Sequence, residues 1–181
     1  MGMLLAFAPF IVFAVLDHLV GPAGALTAGS AVSAALIMRD FIRLDRDPKI
    51  LEVGTFFLFG VLAMFVLVQG NADVSVIGVR LGVDAGLLAI VLVSMAIGRP
   101  FTLQYAKENV PPELWNSPEF LRTNYILSGA WAVAFAVIVA AEAALLFEPH
   151  MSHRVGILLI VAALVGAFKF TAWYPAHGRT A

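Results

Sequence analysis

Asp17, His18 and Glu142 are the ionisable residues best placed to do chemistry, because each lies within or at the end of a long apolar stretch. An ionisable side chain at the centre of a membrane helix costs about 2.5 to 3.5 kcal/mol on the insertion scale, so each needs a partner or a purpose. All three fall on the same predicted side of a membrane. They are our candidates for an outward-facing polar cavity that takes up protons or cations.

A structural interpretation of the same carboxylates is also open. Asp17 and Glu142 would then pair with His18 and Arg154 and hold three helices together. Carboxylates near a membrane interface commonly pair with basic groups, so the sequence leaves both interpretations standing.

A second ion pair is predicted on the opposite side of the membrane. Glu52 and Lys169 occupy matching depths in their predicted helices. We expect the two side chains to form a structural ion pair, because a buried charge needs a partner of opposite sign.

His150 and His153 have a spacing that metal ligands can use. Two residues fall short of the ligand set of a zinc site, which has roughly three or four protein ligands. The chain has 0 cysteines, and no Ser-His-Asp set, glycine-rich phosphate loop or pair of catalytic carboxylates is recognisable in it. We therefore predict no metal, no cofactor and no enzymatic activity.

The composition departs from that of soluble domains. The 181 residues are 61% hydrophobic and 13% charged, against roughly 45 to 50% apolar and about 25% charged in soluble chains. This indicates an integral membrane protein, with the lipid bilayer as its first partner. A net charge of -1 excludes the basic surface that nucleic acid requires, which leaves other membrane or cytoplasmic proteins, or a second copy of the chain, as partners.

The apolar stretches predict an all-α fold with six transmembrane helices in one domain, residues 1–181. Each stretch approaches the roughly 20 residues that cross the hydrocarbon core. The predicted helices cover residues 4–20, 23–38, 51–69, 84–98, 118–147 and 154–174. Gly21-Pro22 predicts a tight turn after the first helix. Ser117-Pro118 predicts the start of the fifth, because a hydroxyl caps exposed amides and proline suits the first helical position.

Basic residues in the connections predict the orientation. Short loops rich in Lys and Arg stay in the cytoplasm. With both termini cytoplasmic, only Arg80 and Arg154 of the 11 basic residues lie outside.

The shorter connections carry further expectations. The charged residues 39–50 are interpreted as a solvated topology anchor, and the alternation within residues 70–83 allows an extended segment. Asp84 would then cap the fourth helix. The helix at 51–69 is rich in Phe and lacks a ridge of small residues, so we expect it to face lipid.

Residues 99–124 form the longest polar stretch of the chain. Pro111 and Pro112 forbid one continuous helix through it, and its aromatic residues favour contact with a membrane surface. We predict a cytoplasmic interfacial loop over residues 99–117. The candidate partner-contact residues are Arg99, Tyr105, Trp115 and Arg122.

Several fragments together resemble a known family. They are the opening FAPFIVF at Phe7–Phe13, Arg99-Pro100, Trp115, Asn124 and WAVAF at Trp131–Phe135. This layout resembles the intracellular septation protein A family of small, polytopic proteins of the bacterial inner membrane. The resemblance implies a role in envelope maintenance or division through protein partners, without a catalytic site.

Two functional hypotheses follow. The first is a non-enzymatic inner-membrane protein that acts through protein partners, with the polar passage as its contact surface. The alternative is a small transporter or channel for protons, cations or a solute, which uses Asp17 and Glu142.

Overall fold

The computed structural model describes residues 5–43, 48–70, 74–148 and 152–177. The structure is 89% helix, and no strand occurs in those ranges. Five of its helices are long and apolar enough to cross a membrane. They are α1 (Ala8–Arg43), α2 (Ile50–Gln69), α3 (Val76–Ala96), α5 (Pro118–Phe147) and α6 (His153–His177), with a short α4 (Phe101–Ala106) between α3 and α5. The predicted all-α class is confirmed, and the five long apolar helices are consistent with a membrane protein.

The chain divides into two compact units, residues 1–90 and 91–181, and the boundary falls within α3. Unit one contains α1, α2 and most of α3. Unit two contains the end of α3, the short α4, and α5 with α6.

Helix α1 folds back on itself at Gly21, which has φ 80° and ψ 170°. A straight helix would separate Pro9 from Gly29 by about 30 Å, yet a Cβ atom added to Gly29 would lie 3.2 Å from the carbonyl oxygen of Pro9. The two arms of α1, residues 8–20 and 22–43, therefore lie side by side. Glycine suits the turn because other residues rarely adopt a positive φ, and Pro22 follows it at the first position of the second arm, where its missing N–H is not needed.

The second arm of α1 packs antiparallel to α2. A Cβ atom on Gly29 would lie 2.6 Å from the ring of Phe59, and the Ser30 hydroxyl donates to the Phe56 carbonyl at 3.3 Å. Phe10 adds its ring 5.1 Å from that of Phe59. The core of unit one is buried around these contacts: Phe13, Ala23, Ala25, Leu26, Phe59, Ala63, Val66, Val79 and Val83.

Helix α2 also packs against α3, through glycines. A Cβ atom on Gly54 would collide with Ile90, and one on Gly86 would collide with Leu58. Because two faces of α2 are covered, the expectation that it simply faces lipid was wrong. Only its remaining face, with Phe57 and Val68, is exposed.

Two connections are more helical than predicted. Helix α1 continues to Arg43, and α3 begins at Val76, so the expected extended segment is helical from there. Ser75 starts α3, since its hydroxyl accepts from the amide of Gly78 at 3.3 Å. Asp84 therefore lies inside the helix, and its predicted role as a cap was wrong.

The predicted interfacial loop, residues 99–117, contains a short α-helix and two 3-10 turns. Helix α3 ends at Ala96, and Gly98 follows it with φ 76°. The amide of Arg99 donates to the Ser94 carbonyl at 2.9 Å, which closes a Schellman turn. The chain then forms α4 and two short 3-10 turns before α5. Ser117 caps α5 as predicted, accepting from the amide of Phe120 at 3.3 Å.

Unit two is joined by hydroxyl and indole hydrogen bonds. Thr102 on α4 donates to the Asn124 carbonyl at 2.9 Å and lies 2.9 Å from the Ser128 hydroxyl. The indole of Trp131 on α5 donates to the Thr171 hydroxyl on α6 at 2.9 Å. Polar contacts of this kind hold helices together where lipid supplies no hydrophobic driving force.

The close approach at Gly29 generates a stability prediction. Replacing Gly29 with Ala puts a methyl group against the Phe59 ring and the Pro9 carbonyl. We expect the free energy of unfolding to fall by about 1 to 3 kcal/mol, the usual effect of overpacking. Unfolding by SDS in mixed micelles, followed by circular dichroism, measures it.

Gly166→Ala is the matched control, because no atom lies within 4 Å of the added Cβ. Equal unfolding midpoints for the two variants would contradict the close contact between the arms of α1 and α2.

Candidate functional site

Asp17 and His18 meet Arg80 near the turn of α1. The Asp17 side chain is buried, and Arg80 Nη2 donates to its Oδ2 at 2.8 Å. The same nitrogen lies 3.1 Å from Nε2 of the exposed His18. Arg80 therefore bridges a buried carboxylate and an exposed imidazole.

This partner was missed by the sequence analysis, which offered His18 or Arg154 for Asp17. Arg80 lies 63 residues further along the chain than Asp17. It comes close because α3 begins at Val76, whereas the prediction placed Arg80 in a connection outside the helix. Asp17 is therefore paired with a cation that neither interpretation named.

Glu142 is also buried, on α5 in unit two. The exposed Arg154 is on α6 in the same unit. The structure thus brings Asp17 and His18 together in unit one. The predicted cavity that they share with Glu142 stays a prediction.

The other end of unit one holds a second cluster of charges, which we call the inner cluster: Arg39, Asp40, Lys49 and Glu52. The last three are 0%, 3% and 1% exposed. Arg39 donates to Oδ1 of Asp40 from Nε at 2.9 Å and from Nη2 at 2.6 Å. The Lys49 ammonium donates to Oδ2 of Asp40 and lies 3.7 Å from Oε1 of Glu52.

The inner cluster corrects the interpretation of residues 39–50 as a solvated anchor at Asp40 and Lys49, which are buried, whereas residues 44–47 of that stretch lie outside the described residues. Because α1 continues to Arg43, Asp40 extends a buried stripe of its second arm, in which Gly29, Ser33 and Leu36 precede it at steps of four and three residues. Such steps keep residues on one helix face. The signal was therefore present in the sequence, but the helix was predicted to end too early to use it.

Glu52 has Lys49 as its basic neighbour in unit one. Lys169, the partner predicted for it, lies exposed on α6 in unit two. The Glu52–Lys169 pair stays a prediction.

Between α1 and α2, two buried hydroxyl groups lie next to the inner cluster, toward the middle of these helices. The contacts of Gly29 with Phe59 and of Ser30 with Phe56 set an antiparallel register, which puts Ser33 level with Thr55. Both are fully buried. Thr55 donates to its own helix at 2.7 Å, whereas the Ser33 hydroxyl has no hydrogen-bond partner in the part of the chain described.

The aromatic cluster Phe10, Phe13 and Phe59 closes this polar stripe. The ring of Phe59 lies 5.1 Å from that of Phe10 and 5.7 Å from that of Phe13. Phe59 is seven residues, or about 10 Å of helix rise, beyond Glu52. Unit one therefore carries buried charge at both ends and an aromatic barrier between them.

The candidate contact residues of the polar passage differ in exposure. Tyr105 is buried on α4, whereas Arg99 and Arg122 are exposed. Trp115 is half-buried, donates to the Val110 carbonyl at 2.8 Å and has the Lys107 ammonium 5.0 Å from its ring centre. Tyr105 is therefore a packing residue of unit two.

Among the described residues, no three His, Asp or Glu side chains come together as metal ligands. His150 lies outside the described residues, so the pair with His153 is untouched by this finding. Comparisons of the chain with protein-family models, curated proteins and solved structures gave no match.

The contact between Arg80 and Asp17 predicts an asymmetric mutational effect. Arg80→Met leaves the buried carboxylate without its cation, and we expect a loss of about 3 kcal/mol of stability, as when one partner of a buried pair is removed. Adding Asp17→Asn should recover most of that loss, because the uncompensated charge is gone. SDS unfolding of the single and double variants measures both.

Arg154→Met, which removes an exposed basic residue of α6, is the control. A double variant no more stable than Arg80→Met alone would contradict the pairing.

Proposed function

We propose that the protein crosses the bacterial inner membrane six times, with both termini in the cytoplasm. The two arms of α1 would be two spans, and the other four long helices one span each. The fold-back at Gly21 supports this count, since it divides α1 into two antiparallel arms. The orientation rests on the distribution of basic residues along the sequence, with Arg80 and Arg154 outside.

We further propose that it is a small, non-enzymatic transporter or channel for protons or small cations. One observation carries the proposal: unit one buries ionisable side chains near both ends of the same apolar helices. Asp17 lies near the turn of α1, and Asp40 lies 19 residues beyond Gly21, about 28 Å along the second arm. Ionisable residues inside membrane helices commonly mark ion or proton pathways.

The two ends suit different steps of such a pathway. Arg80 holds Asp17 beside the exposed His18, so protons or cations in water would first meet the protein at this end. The inner cluster, with Ser33 and Thr55 beyond it, extends polar groups from the other end. The aromatic cluster between them would limit leakage when no ion is moving.

Flux measurements in liposomes test this function. We expect purified wild-type protein to dissipate an imposed pH gradient, read with a pH-sensitive dye inside the vesicles. Asp17→Asn should lower the flux toward the rate of empty liposomes, because the buried carboxylate is lost. Glu142→Gln should do the same if the cavity predicted from the sequence exists.

Glu113→Gln is the matched control, since it neutralises an exposed carboxylate of the polar passage. Absence of flux in protein of native helix content, or flux that survives both carboxylate variants, would overturn the transport proposal.

A second candidate function is supported by the polar passage. Arg99, Leu114 and Arg122 are exposed, and Trp115 beside them is held by its own hydrogen bond and by Lys107. A fixed aromatic group among exposed basic and apolar residues suits contact with a protein partner. The resemblance to the intracellular septation protein A family would make that partner part of envelope maintenance or division.

Complementation distinguishes this candidate. In a strain of the source organism that lacks the chain, we expect Leu114→Ala with Arg122→Ala to fail to restore normal cell length, because the contact surface is removed without altering buried packing. Microscopy of dividing cells measures it, with Arg154→Gln as the control. Full restoration by the double variant would exclude the passage as the contact surface.

A further inference from the structure

We infer that Glu52 is a proton-exchanging carboxyl, and that Lys49 is the positioning cation that its ionised form shares with Asp40. A proton from water at the exposed end of the inner cluster would add to a carboxylate oxygen of Glu52 and leave a neutral acid. Release would return the same proton to water. This deepens the proposed function and rests on it for its purpose, but its test measures proton occupancy and not flux.

Asp40 is the fixed carboxylate of the inner cluster. Its Oδ1 accepts from two nitrogens of Arg39, at 2.9 and 2.6 Å, and its Oδ2 accepts from Lys49. Both oxygens are therefore occupied by cations. Charge-assisted hydrogen bonds of this kind hold a carboxylate in its ionised form.

Glu52 is as buried as Asp40 but lacks such hydrogen bonds within the described part of the chain. It is 1% exposed, and neither of its oxygens accepts a hydrogen bond from the described residues. Its nearest cation among the described side chains, Lys49 at 3.7 Å, is hydrogen-bonded to Asp40. A buried carboxylate with so little compensation gains from any small cation that can reach it, and a proton is the smallest.

Among the described residues, the charges around Glu52 come from two elements. Arg39 and Asp40 face it from α1, and Lys49 lies at the start of its own helix. Helix α3 packs on this part of α2 through Ile90 and Gly54. Its charged residues, Arg80 and Asp84, lie six or more residues before Ile90, at least about 9 Å further along that helix.

The inner cluster meets solvent at Arg39. The Arg39 side chain is 31% exposed, while Asp40 and Lys49 directly behind it are buried. The inner cluster therefore passes from solvent to a buried carboxyl over a few side chains. Beyond Glu52, the buried hydroxyls of Ser33 and Thr55 offer the next polar positions.

Labelling with a hydrophobic carbodiimide, which reacts with protonated carboxyls, tests the inference on the full chain in detergent. We expect peptide mass spectrometry to find the label on Glu52 and not on Asp40. Over a series from about pH 5 to about pH 9, labelling should fall about tenfold for each pH unit above its midpoint, as the protonated fraction does. Glu52→Gln removes the label, and Glu113→Gln leaves it unchanged.

Lys49→Met supplies a readout that a merely structural lysine would not move. Losing the cation disfavours the ionised form of Glu52, so the midpoint of the labelling curve should shift to higher pH by about one to three units. An unchanged midpoint in folded protein would overturn the role of Lys49. The wild-type series stands by itself if this variant fails to fold.

The inference is overturned if folded wild-type protein carries no label on Glu52 at any pH, or carries label that does not depend on pH. Protection by sodium ions at constant pH, without pH dependence, would reassign the site to sodium and also overturn it. Failure of the transport proposal looks different: labelling stays pH-dependent while liposomes show no flux. Flux without label on Glu52 defeats this inference alone.

Discussion

The burial of charge between apolar helices is the constraint on which unit one depends. An ionised side chain cannot leave water for a helix interface unless other charges or hydrogen bonds compensate it. Unit one meets this requirement at both ends, with Arg80 for Asp17 and with Arg39 and Lys49 for Asp40. These pairs also specify which helix surfaces meet, because a shift in register would separate the partners.

Close packing in the middle of unit one also determines which helix surfaces meet. Gly29 lets the first arm of α1 and the ring of Phe59 approach the same point, and Gly54 and Gly86 do the same for α3. Small residues serve helix association in lipid because they allow backbones to come near one another. In unit two, hydrogen bonds of hydroxyl groups join the helices: Thr102 lies against Ser128, and Trp131 donates to Thr171.

Features that depend on adjacent residues were predicted from the sequence, whereas contacts between residues far apart in the chain were missed. Gly21 and Ser117 were identified because backbone conformation and capping depend on a few adjacent residues. Arg80 was not identified as the partner of Asp17, since nothing local links residues so far apart. The inner cluster was missed for another reason. A charged segment after an apolar helix was assumed to be a solvated loop, whereas α1 continues through it and Asp40 is buried.

The contrast between Asp40 and Glu52 shows why charge counting along a sequence does not identify the exchangeable group. The inner cluster has two cations and two carboxylates, so by count it is neutral. Geometry divides the cations unequally, because both donate to Asp40 while Glu52 has only a 3.7 Å contact with one of them. The carboxylate with the weaker compensation is also the one nearer to the buried hydroxyls between α1 and α2, so any proton that enters the stripe from this end meets Glu52 before it meets Phe59.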